Sequence, residues 1–158
     1  MNKYMKIAKE LANENIKTNA GGPFGACIVK DGIVIGKGSN HVLMNNDPTA
    51  HAEIMAIRDA CKKINSYDLS GCKIYTNCYP CPMCLSAIIW SNMKVVYYGN
   101  TKEDADKIGF RDDYIYDYIG KLEQNKIDNN VLILKNIDRE NTLEEFQKYI
   151  DKDDEIIY

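Results

Sequence analysis

Beyond residue 50 the chain alternates short apolar runs with single helical patterns, and that order leaves few folds open. A strand, a helix and a second strand in succession require a crossover, which sets the strands parallel in one sheet. Runs near 72–77, 94–99 and 131–135 read as strands. Patterns over about 49–64, 81–91, 111–120 and 142–150 read as helices. The first part of the chain is different. Met5, Ile7, Ala8, Leu11, Ala12 and Ile16 fall near helical spacing over 2–17, and the turn-rich stretch from Asn19 to Pro23 ends that helix. Apolar runs at 24–30 and 32–38 flank Asp31-Gly32, a strong signal for a tight antiparallel hairpin. The order α-β-β-α-β-α-β-α-β-α predicts an α/β fold. We read a mixed five-stranded sheet with an antiparallel opening hairpin, held between two helical layers as a three-layer α/β/α sandwich.

The chain has 158 residues, no internal repeat and no Pro/Ser-rich linker. A single domain over 1–158 is therefore expected. No apolar run approaches the roughly 18–20 residues of a membrane span, and the N-terminus mixes charge too evenly for a secretory signal. A cytoplasmic protein without membrane association is the expectation. Twenty Lys and Arg against 23 Asp and Glu give a formal charge of −3, and no basic cluster exceeds Lys62–Lys63. Binding to a phosphate backbone needs several convergent cations, so a long nucleic acid is a poor partner and a small ligand a better one.

Two motifs carry the chemistry: His51-Ala52-Glu53 and Pro80-Cys81-Pro82-Met83-Cys84, each opening a predicted helix. Two cysteines at C-x-x-C spacing and one histidine can grip zinc tetrahedrally and leave its fourth position open, the arrangement of a catalytic site. Helix N-termini favour thiolate over thiol at Cys81 and Cys84. Glu53 stands where a carboxylate can take a proton from zinc-activated water and return it to a leaving amine, which is hydrolytic deamination. Thr49 is the expected cap of the first of these helices.

The combination H-x-E with P-C-x-x-C is the signature of the zinc deaminases. The chain resembles that cytidine deaminase-like superfamily and, within it, the bacterial guanine deaminase branch. The likeness extends over Gly21-Gly22-Pro23-Phe24-Gly25-Ala26, Asn40, Asn46 to Glu53, Ile108-Gly109-Phe110, Asp112, Tyr114 and the final Tyr158. It implies a cytidine deaminase-like sandwich with one zinc per subunit on His51, Cys81 and Cys84, converting guanine to xanthine and ammonia by attack at C2, with Glu53 as proton shuttle. It implies that Phe24 stacks near the base, Ala52 lies against it, and Asn40 and Asp112 bond its polar edge. It also implies a homodimer whose C-terminal helix and tail, about 138–158, swap between subunits so that Tyr158 closes the partner's site. The apolar run Ile156-Ile157-Tyr158 after five charged residues agrees with docking against a surface.

Three positions depart from the family pattern. Tyr79 replaces the usual Glu before Pro-Cys, Cys27 replaces a small apolar residue, and Arg111 precedes Asp112 where an acid is usual. Simpler roles exist for several residues. Cys27, Cys61, Cys72 and Cys78 fit as small core residues, His41 as a loop residue, Asn40 as a turn residue and Asp112 as a helix cap. Tyr114 and Tyr118 share a helical face, which is expected to pack against the body or a partner. Another aminated ring (guanosine, cytosine, a triazine or the adenosine of a tRNA) is the alternative substrate, and a non-catalytic zinc module the alternative class.

Overall fold

A computed structural model describes residues 1–154. They form two compact units, Met1–Tyr116 and the remainder from Asp117.

The first unit opens with α1 (Lys3–Thr18), capped by the Asn2 side chain, which accepts from the Tyr4 and Met5 amides. Strands β1 (Gly25–Lys30) and β2 (Ile33–Ser39) follow as an antiparallel hairpin. Its two-residue turn has φ of 49° at Asp31 and 82° at Gly32, the doubly left-handed turn that Asp-Gly favours. Next come α2 (Val42–Asn45), α3 (Ala52–Ile64), β3 (Lys73–Cys78), α4 (Pro82–Trp90), β4 (Val95–Asn100) and α5 (Lys102–Lys107). The sheet runs β2-β1-β3-β4, with β1 antiparallel to both neighbours and β3 parallel to β4. The crossover geometry expected past residue 50 is therefore present.

Burial alternates along β1 between two cores. Ala26 and Ile28 pack with Ile74, Ala52, Ala56, Ala60 and Ile88 on the α3/α4 side. Cys27 and Val29 pack with Tyr75 and, from α1, Tyr4 and Ile7 on the other. A strand covered on both faces loses the polar alternation of a half-exposed one, as the sequence of β1 does. Cys27 is a buried core residue, and burial pushes its thiol up to about 11.

The α3 helix approaches the sheet unusually closely. A Cβ on Gly36 would lie 2.5 Å from the Ala56 carbonyl oxygen, and one on Gly38 would overlap that of Ala52. Glycine on the strand and alanine every fourth residue on the helix form this seam, and the larger Ile57 and Cys61 pack, partly buried, against the same core. On α1, Ile16 is exposed and Asn15 buried beside Ala8 and Ala12, the reverse of the expectation.

Helix α6 (Asp113–Glu123) straddles the boundary between the units, and α7 (Arg139–Ile150) lies in the second. Within that unit Tyr118 is buried and its hydroxyl donates to the Leu132 carbonyl at 3.3 Å. In the first unit Tyr114 is exposed. The strand expected at 131–135 is absent: among the described residues the sheet has four strands. Instead the Val131 and Leu132 amides bond back to the Asp128 carbonyl in a turn. A β-propensity run becomes a strand only when a ladder receives its amides, and none does here. No described helix is long and apolar enough to cross a membrane.

Candidate active site

The two motifs meet because their helices begin side by side. His51 is the N-cap of α3, with φ −69° and ψ 158°, and Cys81 is the N-cap of α4, with φ −67° and ψ 169°. Pro82 occupies the first turn of α4, where a missing N–H does no harm. Thr49 is not the cap of α3. Its amide and hydroxyl both bond Asp47 Oδ1, at 2.8 and 2.6 Å, and the helix starts two residues later than expected.

His51 Nδ1 lies 3.5 Å from Cys81 Sγ and 3.7 Å from Cys84 Sγ. A tetrahedral zinc with bonds of about 2.3 Å to sulfur and 2.0–2.1 Å to nitrogen requires roughly 3.6 Å between such atoms. The three donors thus fit the metal, and all lie within 4.8 Å of one another. No other His, Cys, Asp or Glu among the described residues joins the group. Cys78 ends β3 with its thiol directed at the Thr101 carbonyl, 3.6 Å away, and burial raises it to about 11. Its sulfur is not among the donor atoms that cluster within 4.8 Å of one another.

The electrostatics prepare one thiolate. A hydrogen bond from the Cys84 thiol, then the His51 ring, draws Cys81 down to about 4. Cys84 is correspondingly pushed up, and its thiol lies 3.4 Å from Glu53 Oε2. The Cys81 sulfur pulls His51 upward. Metal binding displaces these protons. Glu53 is 5% exposed, and burial raises its carboxyl; the Thr76 hydroxyl, donating to Oε1 at 2.8 Å, acts in the opposite sense.

These groups open into a cavity of about 630 Å³, within the range of small-molecule sites. His51, Glu53 and Cys81 reach it from one side, and Phe24, Asn40 and Asp112 line it as well. Ala52 is fully buried beneath. The Phe24 ring meets Phe110 edge-on, with centroids 4.9 Å apart and planes at 87°. Asn40 Oδ1 accepts from the Val42 amide at 3.1 Å, so its turn role and its place in the cavity coexist. The Asp112 carbonyl receives the Ile115 and Tyr116 amides that start α6, and burial followed by the nearby Cys81 raises its carboxyl. Tyr79 lines the cavity with its ring edge-on to Tyr98 at 5.0 Å. Arg111 is exposed, 3.8 Å from Asp106. Tyr158 lies outside the described residues.

Residues 1–100 match the cytidine and deoxycytidylate deaminase zinc-binding region. The chain belongs to this deaminase family. Among its curated members, the guanine deaminase of Bacillus subtilis (strain 168) is 52% identical over 118 residues, 75% of this chain and 76% of that one. The tRNA-specific adenosine deaminase of Aquifex aeolicus is 45% identical over 76 residues, 48% of this chain and 50% of that one. The crystal structure of the Bacillus subtilis guanine deaminase superposes with a TM-score of 0.86 at 42% identity, covering 99% of this chain and 100% of that one.

Four residues that bond the elements forming this site escaped the sequence reading. Thr76 bonds Glu53, Asn15 and Asn77 bond the loop carrying Phe24, and the Tyr116 hydroxyl donates to the Pro80 carbonyl at 3.1 Å. Only Asn15 left a trace, as a polar residue on the face of Ala8 and Ala12.

Proposed function

We propose that the protein is a zinc-dependent guanine deaminase releasing xanthine and ammonia, with His51, Cys81 and Cys84 as ligands and Glu53 as proton carrier. The observation that carries this reading is the extent of the likeness. The guanine deaminase structure superposes over 99% of this chain with a TM-score of 0.86, whereas a tRNA:A34 deaminase structure superposes over 62% with a TM-score of 0.60. The formal charge of −3 also disfavours an RNA substrate.

Zinc on these three residues would lower the pKa of a water in its open position from about 15.7 to about 7, supplying the nucleophile. The chain's own residues do the rest. Phe24 stacks on the purine, and Asn40 and Asp112 bond its polar edge, so a base with the wrong edge leaves buried groups unpaired. Glu53 accepts the proton of the attacking water on a carboxylate oxygen. It delivers that proton to the ring nitrogen beside C2 and then carries the remaining proton of the added hydroxyl to the amine, which departs as ammonia as the C2–N bond breaks and the C2 carbonyl forms. The Thr76 hydroxyl holds the carboxylate in place throughout. In this reading Tyr79 is part of the wall against which the substrate lies.

We read the assembly as a homodimer with exchanged C-terminal segments, and the site as belonging to a single deaminase domain completed by that exchange. Support comes from the second unit, where Leu132, Ile133 and Leu134 are 50%, 59% and 53% exposed. Contiguous apolar side chains of this kind mark a surface that something covers. Thiolate ligands suit the reducing cytoplasm. Ammonia release from guanine by the zinc-loaded protein tests the substrate. A panel containing guanosine, cytosine and adenosine must give lower kcat/KM, and a better substrate among them overturns the assignment. Light scattering on the full chain, compared with a chain ending at residue 137, tests the dimer.

A further inference from the structure

The cavity wall carrying Phe24 is held by two carboxamides that the reaction does not use. Asn77, on β3, donates from Nδ2 to the Pro23 carbonyl at 3.0 Å and accepts the Gly25 amide on Oδ1 at 2.8 Å. The two bonds fall on the residues either side of Phe24. Asn15, buried on α1, donates from Nδ2 to the Gly22 carbonyl at 3.0 Å and to the Asn40 carbonyl at 2.5 Å.

Phe24's own main chain is taken too. Its amide bonds the Gly22 carbonyl at 2.8 Å, and its carbonyl accepts the Asn40 amide at 3.1 Å. From the Gly22 carbonyl to the Gly25 amide, each backbone donor and acceptor has a partner. The ring is confined as well: a Cβ on Gly22 would come within 2.8 Å of both the Phe24 and Phe110 rings. A face held this firmly meets a planar ligand at a set height. That matters because a gap of roughly 0.5–1 Å forfeits about a quarter to a half of a dispersion contact.

We propose that Asn77, supported by Asn15, is a positioning residue that sets the height of the Phe24 ring over the substrate, and so governs affinity for the planar base rather than the chemical step. This rests on Phe24 being the stacking face, as in the guanine reading. Thr76 and Asn77 then divide the labour of one strand, Thr76 holding the proton carrier and Asn77 the aromatic wall.

The test is Asn77→Ala in the zinc-loaded full chain. KM for guanine is expected to rise about tenfold with kcat changed less than about twofold and zinc content unaltered. In a Phe24→Ala background the same substitution leaves KM where Phe24→Ala has put it, because the clamp has nothing left to hold. Asn77→Asp keeps the acceptor for Gly25 and loses the donor to Pro23; its KM falls between, and it carries the same cycle if the alanine variant does not fold. The chain has three phenylalanines, so fluorophenylalanine labelling resolves Phe24, and its ¹⁹F resonance shifts or broadens in the Asn77 variant with no substrate present. A loss of kcat at constant KM, multiplying effects in the double variant, or an unmoved Phe24 resonance overturns the proposal. Wild-type protein inert toward guanine sinks the substrate reading instead, and the fluorine comparison then decides the clamp alone.

Discussion

The Thr76 hydroxyl donates to Glu53 Oε1 at 2.8 Å, and neither residue is reached appreciably by solvent. A short, branched, neutral donor from β3 thereby fixes the orientation of the carboxylate proposed to move protons. The bond also keeps a buried carboxylate from facing an apolar strand unpaired, a cost of about 1–3 kcal/mol or more for a charged group.

Replacing Thr76 by Val preserves shape and removes the donor. We expect kcat to fall about 10–100-fold, the range for partners that orient active-site groups, with KM and zinc content unchanged. Thr76→Ser should restore most of the rate, and steady-state kinetics with metal analysis on the three proteins checks it.

Glu53→Gln retains size and hydrogen bonding but cannot carry a proton. Zinc per chain should stay at the wild-type level while kcat drops by about 10²–10⁴ or more. Equal, measurable turnover in the two proteins would take the proton-carrying role from Glu53, and no turnover in either at full zinc content would indicate a metal-binding module without catalysis.

Gly38→Ala drives a methyl group into the Ala52 carbonyl, one residue from His51. The helix must retreat, at about 1–3 kcal/mol for an overpacked contact. Both Tm and zinc affinity should fall together, because the same helix carries His51 and Glu53. Gly71→Ala is the contrasting control: nothing lies within 4 Å of its Cβ, but its φ of 78° strains an alanine, so Tm should fall and zinc affinity should not.

Asp47 ties the loop before His51, and the Thr49 hydroxyl and amide, with Arg58 at 3.4 Å, hold its carboxyl below the ordinary 3.8. A group whose folded pKa is depressed stabilises the fold above the unfolded value and loses that effect as pH falls through the folded one. The Tm difference between metal-free wild type and Asp47→Ala should therefore be full near pH 6 and shrink below about pH 4. A difference that is constant with pH would assign the effect to packing.

Much of the architecture can be read locally. The Asp31-Gly32 hairpin, the helices starting near His51 and Cys81, and the parallel pairing of β3 with β4 follow from turn stereochemistry, helical spacing and crossover geometry. Helix α5 was legible too, since Thr101 and Asp104 form a capping box, but its short polar run read as loop. The errors have a common form. Thr49 was a good cap by type, yet Asp47 claims its hydroxyl; Ile16 was apolar and in phase, yet Asn15 faces inward. The 131–135 run has strand chemistry without a ladder to receive it.

The sequence by itself determined the candidate donors, the acid two residues from His51 and the hairpin-then-crossover order of β1 to β4, because spacing along one helix or turn is settled by bonds a few residues long. Only the tertiary structure decided that Thr76 serves Glu53 and that Asn15 and Asn77 hold the Phe24 wall. A polar side chain takes its meaning from the group opposite it, and for these residues that group lies 7 to 54 positions away along the chain.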